Sequence, residues 1–403
     1  MLEHQIEQLR AGGCREIILV GGDHNLKEAR RLFPKLKCIR QKDLDLGMRG
    51  ALLSALPSCK KESVMIVSAN DVVEPAAYSA LRDAASRPGV MGAILAKTVK
   101  HYFPGGYLKV KGNRALSIVE KPGEGKEPSN LVNIVAHIHN DASIALKELK
   151  NVSAKNDDGY ERALTGLMKS HAYHVVRYSG LWQAVKYPWH LLHVLPIFLE
   201  HVSASIHRSA TIHPSAVIEG NVTIEEGVKV LPQATMVGPV TIGKNSIIGT
   251  GALVRGSSIG ENCVIGFGSE IKSSILAHDV WTHMTYLGDS IVGGNVAFGG
   301  GTITGNFRLD EGEISSVVDG KSVPTGLTKL GAIVGANTRI GIRVGTNPGI
   351  KIGEGSFIGG GLFLESDVPD GSFVTEKLGT IHVRPNRASA PAKGARNRYR
   401  SNT

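Results

Sequence analysis

The sequence predicts a two-part chain: an α/β half of Rossmann type, then an all-β half wound as a parallel β-helix. Three observations carry this. Over residues 1–200, short apolar runs alternate with helical segments. From Ile206 onward, apolar residues recur every six positions. The chain has 403 residues, 42% of them apolar, which is enough to fill two cores.

In the front half, IEQLRAGG reads as a helix stopped at Gly12–Gly13. REIILVGG is a buried strand. VMIVSAND (64–71) is a second, ending on Asp71, and VMGAILAKTV (90–99) is a third. ALSIVEKP (115–122) and NLVNIVAHIHN (130–140) follow, then a helix over 160–170 and the strand HVVRY (174–178). This βαβ rhythm implies a mostly parallel sheet, with ligands at the carboxyl ends of its strands.

In the back half, the hexads IHRSAT, IHPSAV, IEGNVT, IEEGVK, VLPQAT, MVGPVT, IGKNSI and IGTGAL run without a break from 206 to 253. Their apolar residue points inward, and three hexads make one triangular coil. Small residues take the corners, where tight turns need positive φ. The pattern steps through Val254, slips to Ile259, and continues through Ile265 and Ile271. It returns at Ile291 and Ile303, then at Val334, Ile340, Ile352, Ile358 and Leu364. The expected boundaries are an α/β domain over 1–195, a linker over 196–205, a β-helix over 206–369, and a C-terminal arm with a basic tail over 370–403.

Composition narrows the partners. No apolar run reaches the length of a membrane span, and MLEHQIEQLR does not read as a signal peptide. Cys14, Cys38, Cys59 and Cys263 have no metal-ligand spacing, so reduced thiols in a cytoplasmic protein are expected. The net charge of +10 is concentrated in RPNRASAPAKGARNRYRSNT, residues 384–403. Only 5% of residues are aromatic, which argues against a nucleic-acid reader that stacks bases.

The hexads resemble the left-handed β-helix of hexapeptide-repeat acyltransferases, and the hand is taken from that resemblance. VSAND, IVEKP, SNLVN and LWQAVKYPWHLL follow, in order, the sugar-1-phosphate nucleotidylyltransferases. Together the halves resemble the two-domain uridylyltransferase/acetyltransferases that make UDP-N-acetylglucosamine, the archaeal-type members being nearest. For the front half the resemblance implies Asp71 as a Mg²⁺ ligand, with Glu120, Lys121, Asn133 and Gly106 at the sugar. Gln41 and Gly47 fall at the base. Two departures stand out: the family's opening strand and Gly-rich phosphate loop have no counterpart, and Ala184 stands where a second metal-binding Asp is usual.

The stretch EIKSSILAHDVWTHMTYLGDSIVGGNVAFGGGTITGNFR (270–308) is similar to the acetyltransferase signature of the same family. It implies His283 as general base. Arg255, Lys272 and Lys329 would hold a sugar phosphate, and Tyr286 and Asn306 would place the amino sugar. Gly299, Gly300 and Gly301 would offer amides to the acetyl-CoA carbonyl, and Arg384 would touch the coenzyme. His207, His213 and His278 read as ordinary corner residues, and Asp289 as a turn cap. Ala297 and Phe307 depart from the family's usual residues. The implied reaction is acetyl transfer from acetyl-CoA to glucosamine-1-phosphate or galactosamine-1-phosphate by a homotrimer. The alternatives are an active UTP-dependent nucleotidylyltransferase and a non-catalytic trimeric scaffold that binds sugar nucleotides.

Overall fold

The computed structural model describes residues 1–153, 158–377, 379–390 and 394. Most of the basic tail therefore lies outside the described residues. The chain divides into two compact units, Met1–Ala184 and the residues from Val185 onward. The expected boundary at 195 falls inside helix His190–Leu199 of the second unit.

In the first unit, α1 (Leu2–Ala11) leads to β1 (Ile18–Gly21), α2 (Asp23–Leu32), β2 (Lys37–Arg40) and α3 (Gly47–Ala55). Then come β3 (Val64–Val67), β4 (Asp71–Val73), α4 (Pro75–Ala85), β5 (Gly92–Thr98), β6 (Gly106–Lys111), β7 (Arg114–Glu120) and β8 (Leu131–His139). The unit closes with α5 (Ala142–Asn151), α6 (Gly159–Ser170), β9 (Tyr173–Arg177) and β10 (Trp182–Ala184). Six strands form one sheet in the order β3-β8-β5-β9-β7-β6. Its ladders correct the expectation of a mostly parallel sheet: only β5–β9 is parallel, and β8 runs antiparallel between β3 and β5. The cause is local, because β8 returns from the β6–β7 hairpin without a helical crossover.

β1 and β2 make a separate parallel pair. Between the β1 and β3 segments lies a cavity of about 1070 Å³, lined also by Ile6 and Leu9 of α1 and by Met48 and Leu52 of α3. Asp71 does not end a strand. It opens β4, which pairs antiparallel with β10 so that Asp71 lies opposite Ala184.

The second unit is a three-sided parallel β-helix. Its faces are stacks of eight, nine and eight short strands, each strand paired parallel with the one a coil later, and a tenth strand folds back antiparallel on the second face. The inward residues Ile224, Ile242, Ile259, Leu276 and Val292 line one face, and each is at most 2% exposed. Two expected inward positions are wrong. Ile303 is 54% exposed while Thr304 is buried, and Val292, rather than Ile291, points inward. The reason is coil length: the step from Ile224 to Ile242 is 18 residues, but Leu276 to Val292 is only 16. Because side chains alternate faces, a slip of one residue exchanges inside for outside.

After Thr304 the chain leaves the coil. The strands Ile314–Val318 and Lys321–Leu327 form a hairpin before the coil resumes at Ile333–Val334. Ile314 and Leu330 are buried with Trp189 in a small cluster of their own, packed by Tyr187 and Leu192. The helix ends in the hairpin Ser372–Lys377 and Thr380–Pro385.

Candidate functional site

His283 lies at the corner between the strand Trp281–Thr282 of one face and Tyr286–Gly288 of the next. The corners stack through amide bonds: Met284 N–H donates to the Phe267 carbonyl (3.0 Å), Gly301 N–H to that of Met284 (3.0 Å), and Arg343 N–H to that of Gly300 (2.9 Å). His283 therefore stands between Phe267 on one coil and Gly300 on the next. Its side chain is exposed, outside the coil. Met284 carries the positive φ of 47° that turns the chain here. A Cβ on Gly300 would meet only the His283 ring and backbone, at 3.4 Å or more, so glycine leaves that side of the ring open.

The GGGT segment was expected to offer several amides, and the structure narrows this to one. Gly299 N–H donates to the Ile340 carbonyl (2.8 Å), and Gly301 N–H is used as above. Gly300 N–H has no acceptor among the described residues, and it lies beside the imidazole.

Past this corner, the outward side chains of the third face form a charged ladder. Arg255 pairs with Lys272 in register and binds Glu270 through Nε (3.2 Å). Lys272 Nζ lies 3.4 Å from Asp289 Oδ2, and Asn306 Nδ2 donates to the same oxygen at 2.6 Å. Asn306 Nδ2 is also 3.2 Å from the Tyr286 hydroxyl. A Cβ at Gly288 would come within 2.6 Å of both, so any larger residue would displace one of these two groups. Asp289, read as a turn cap, is thus the hub joining Lys272 and Asn306. A sequence signal existed: 255, 272, 289 and 306 are spaced by seventeen residues, close to one coil. Lys329 is close by, bridged to Phe307, with its Nζ 5.7 Å from that ring. Arg384 is not brought to the glycine corner within one chain. It lies four strand spacings up its face, ~19 Å, with its guanidinium over Phe373 at 4.8 Å. His207 and His213 hold corner serines, as ordinary corner residues do.

In the first unit, the expected sugar-side residues converge. Gly106 pairs with Glu120, and a Cβ there would come within 3.0 Å of Glu120 Oε2. The register that pairs Tyr107 with Val132 sets Gly106 opposite Asn133. Lys121 Nζ lies 3.8 Å from Glu120 Oε1. Gln41 is mostly committed inward: its Nε2 donates to the Asp43 and Gly47 carbonyls, both at 2.8 Å. Only its Oε1 is left for a ligand. Asp71 is buried and accepts from Trp182 Nε1 at 3.2 Å. Its cross-strand partner Ala184 offers a methyl group, so this pair supplies one carboxylate where a divalent cation needs more. Among the described residues no cluster of three or more His, Cys, Asp or Glu could hold a metal.

A mixed α/β sheet unit followed by a three-sided β-helix with an exposed histidine at a glycine corner is the architecture of a two-domain nucleotidyltransferase-like and hexapeptide-repeat protein. Comparison with known proteins agrees. Residues 1–196 match the MobA-like NTP transferase domain, 198–291 the GMPPB C-terminal domain, and 331–366 the hexapeptide repeat of succinyl-transferase. The last match identifies the coil as the left-handed β-helix of that repeat class. The chain is 30% identical over 379 residues to a bifunctional sugar-1-phosphate nucleotidylyltransferase/acetyltransferase of Sulfurisphaera tokodaii, spanning 93% of this chain and 91% of that protein. It is 32% identical over 381 residues to the bifunctional protein GlmU of Methanococcus maripaludis strain C7, spanning 94% and 90%. To the GlmU of Methanocaldococcus jannaschii it is 29% identical over 351 residues, spanning 85% and 82%. The chain belongs to this family of bifunctional sugar-1-phosphate nucleotidylyltransferase/acetyltransferases.

Proposed function

We propose that this protein transfers the acetyl group of acetyl-CoA to the amine of glucosamine-1-phosphate, or of a related amino-sugar phosphate, in UDP-N-acetylglucosamine synthesis. The observation that carries this reading is the exposed His283 beside Gly300, the one glycine of the GGGT segment whose amide has no acceptor among the described residues, at the corner that opens the face carrying Tyr286, Lys272, Asp289 and Asn306. The neutral amine attacks the thioester carbonyl, and the Gly300 N–H receives the developing oxyanion. His283 takes the proton from the attacking nitrogen. The C–S bond then breaks, the proton held by His283 passes to the departing sulfur, and coenzyme A leaves as the thiol with the imidazole neutral again. Lys272, Arg255 and Lys329 supply positive charge for the sugar phosphate, and Tyr286 and Asn306 place the amino sugar. The enzyme works in the cytoplasm as a homotrimer, and Arg384 meets the coenzyme from its own or a neighbouring subunit. Thiol release from acetyl-CoA with glucosamine-1-phosphate tests this. His283→Ala should lower kcat at least 100-fold, roughly the weight of a general base, with the oligomer intact. Wild-type rates in that variant would refute the role of His283.

The second reading is nucleotidyl transfer from UTP, favoured by the convergence of Gly106, Glu120 and Asn133. It predicts pyrophosphate release that Asp71→Ala abolishes. The lone carboxylate opposite Ala184 ranks it below acetyl transfer, and the first unit is read as a sugar-nucleotide site with a degenerate catalytic half. Neither product, with ligand binding retained, would leave the scaffold reading.

A further inference from the structure

β8 carries two histidines that neither reaction uses. His137 and His139 are 0% exposed, and they are two residues apart, so both project from the same side of the strand. Tyr160 of α6 and Tyr173 of β9 close around them. His137 Nε2 lies 2.7 Å from Asn133 Oδ1, and His137 Nδ1 lies 2.8 Å from the Tyr160 hydroxyl. His139 Nε2 is 3.1 Å from that same hydroxyl, and His139 Nδ1 is 2.7 Å from the Tyr173 hydroxyl.

The direction of every proton in this series follows from its end. Asn133 Oδ1 can only accept, so His137 Nε2 carries the hydrogen. A neutral ring then offers its Nδ1 lone pair, and Tyr160 O–H donates to it. The Tyr160 oxygen accepts from His139 Nε2–H, and His139 Nδ1 accepts from Tyr173 O–H. In this order every hydrogen has an acceptor; the reverse order leaves Tyr173 O–H without one. Burial keeps both rings neutral, lowering His137 to about 3 and His139 to about 4, and it raises the Tyr160 phenol. Asn133 Nδ2 donates to no described residue, and the strand register sets Asn133 opposite Gly106, whose missing side chain faces Glu120.

We propose that His137 is a positioning residue: the buried series Tyr173–His139–Tyr160–His137 locks the Asn133 carboxamide with its oxygen inward and its NH₂ outward. The position then serves as a donor only, and it selects ligands that bring an acceptor oxygen, such as a sugar hydroxyl. An amide free to turn would present oxygen or nitrogen equally and would discriminate less. This rests on the reading of Asn133 as a sugar-side contact.

The test uses the full chain, with UDP-N-acetylglucosamine and UDP as probes in titration calorimetry. Nitrogen-15 NMR of labelled histidines gives the tautomers. The expected result is Nε2–H on both buried rings, and tighter binding of the sugar nucleotide than of UDP. His137→Phe should weaken UDP-N-acetylglucosamine about tenfold, the scale of one unmade polar contact, and leave UDP unchanged. His137→Gln, whose amide can donate to Asn133 Oδ1, should restore most of the loss. If His137→Phe does not fold, Tyr160→Phe breaks the series one step back, and a loss of about threefold confined to the sugar nucleotide is expected. An Nδ1–H tautomer on His137, or equal binding by the His137 and Tyr160 variants and wild type, overturns the proposal alone. If wild type does not prefer the sugar nucleotide, or Asn133→Ala leaves that preference intact, the reading of Asn133 fails, and the proposal fails with it.

Discussion

At the scale of single residues, the candidate site of the second unit depends on what glycine omits as much as on what side chains add. Gly300 leaves one side of the His283 ring open and keeps one amide unengaged, while Gly288 makes room for the Tyr286 hydroxyl and the Asn306 amide. Asp289 ties Lys272 to Asn306 with a side chain only 14% exposed. Removing it frees both partners without touching the base. Asp289→Ala should therefore raise KM for the amino-sugar phosphate about tenfold, as loss of a partly buried polar anchor does. The turnover number should change much less. Steady-state thiol release at varied sugar phosphate separates the two, and a fall in kcat with constant KM would contradict this assignment. His283, Lys272, Tyr286 and Asn306 are candidates from the sequence because their neighbours carry the family pattern, and the structure brings the last three together. Asp289 is not one of those candidates, because one aspartate after a glycine reads equally as a turn. Its role shows only once the seventeen-residue coil that stacks it against 272 and 306 is recognised.

At the scale of elements, β8 links stability to pH. In the unfolded chain its two histidines take protons near their ordinary value of 6.5, whereas folded His139 resists until about 4 and His137 until about 3. Between those limits the unfolded chain holds more protons. The contribution of β8 is therefore complete above pH 6.5 and is lost progressively as the pH falls toward 3. Thermal unfolding followed by helical circular dichroism, which reports mainly the first unit because it holds every described helix but His190–Leu199, should show midpoints falling steadily from pH 7 to pH 4. His139→Phe should reduce that slope by about half, since it removes one of two such groups. A midpoint constant over this range would be inconsistent with two buried neutral rings. The elements themselves were mostly readable: each apolar run of the front half is a strand, and eight hexads gave the β-helix its inward residues. Two things escaped. Strand direction was misjudged because a hairpin return and a helical crossover leave similar apolar runs. The inward phase was lost where coils shorten to 16 or 17 residues, which is where His283 lies.

At the scale of the whole molecule, the two units differ in how their contacts are distributed. The first closes around a six-stranded sheet and leaves about 1070 Å³ beside β1 and β3. The second is a stack, and coils in a stack normally touch only their neighbours, so such proteins come apart from the ends, one coil at a time. The departure at Asn306 and the hairpin that follows could not be read from the hexads, since they are an interruption of the repeat. Yet they bring Ile314 and Leu330 onto Trp189, which precedes the first coil. This contact acts as a buckle: more than a hundred residues are closed into a ring that no single coil can leave. Under tension applied between Val185 and Leu330, the closed part of the unit should give way in one high-force rupture. Trp189→Ala should turn that rupture into a run of smaller steps in an optical trap, and identical traces for the two proteins would show that the buckle bears no load.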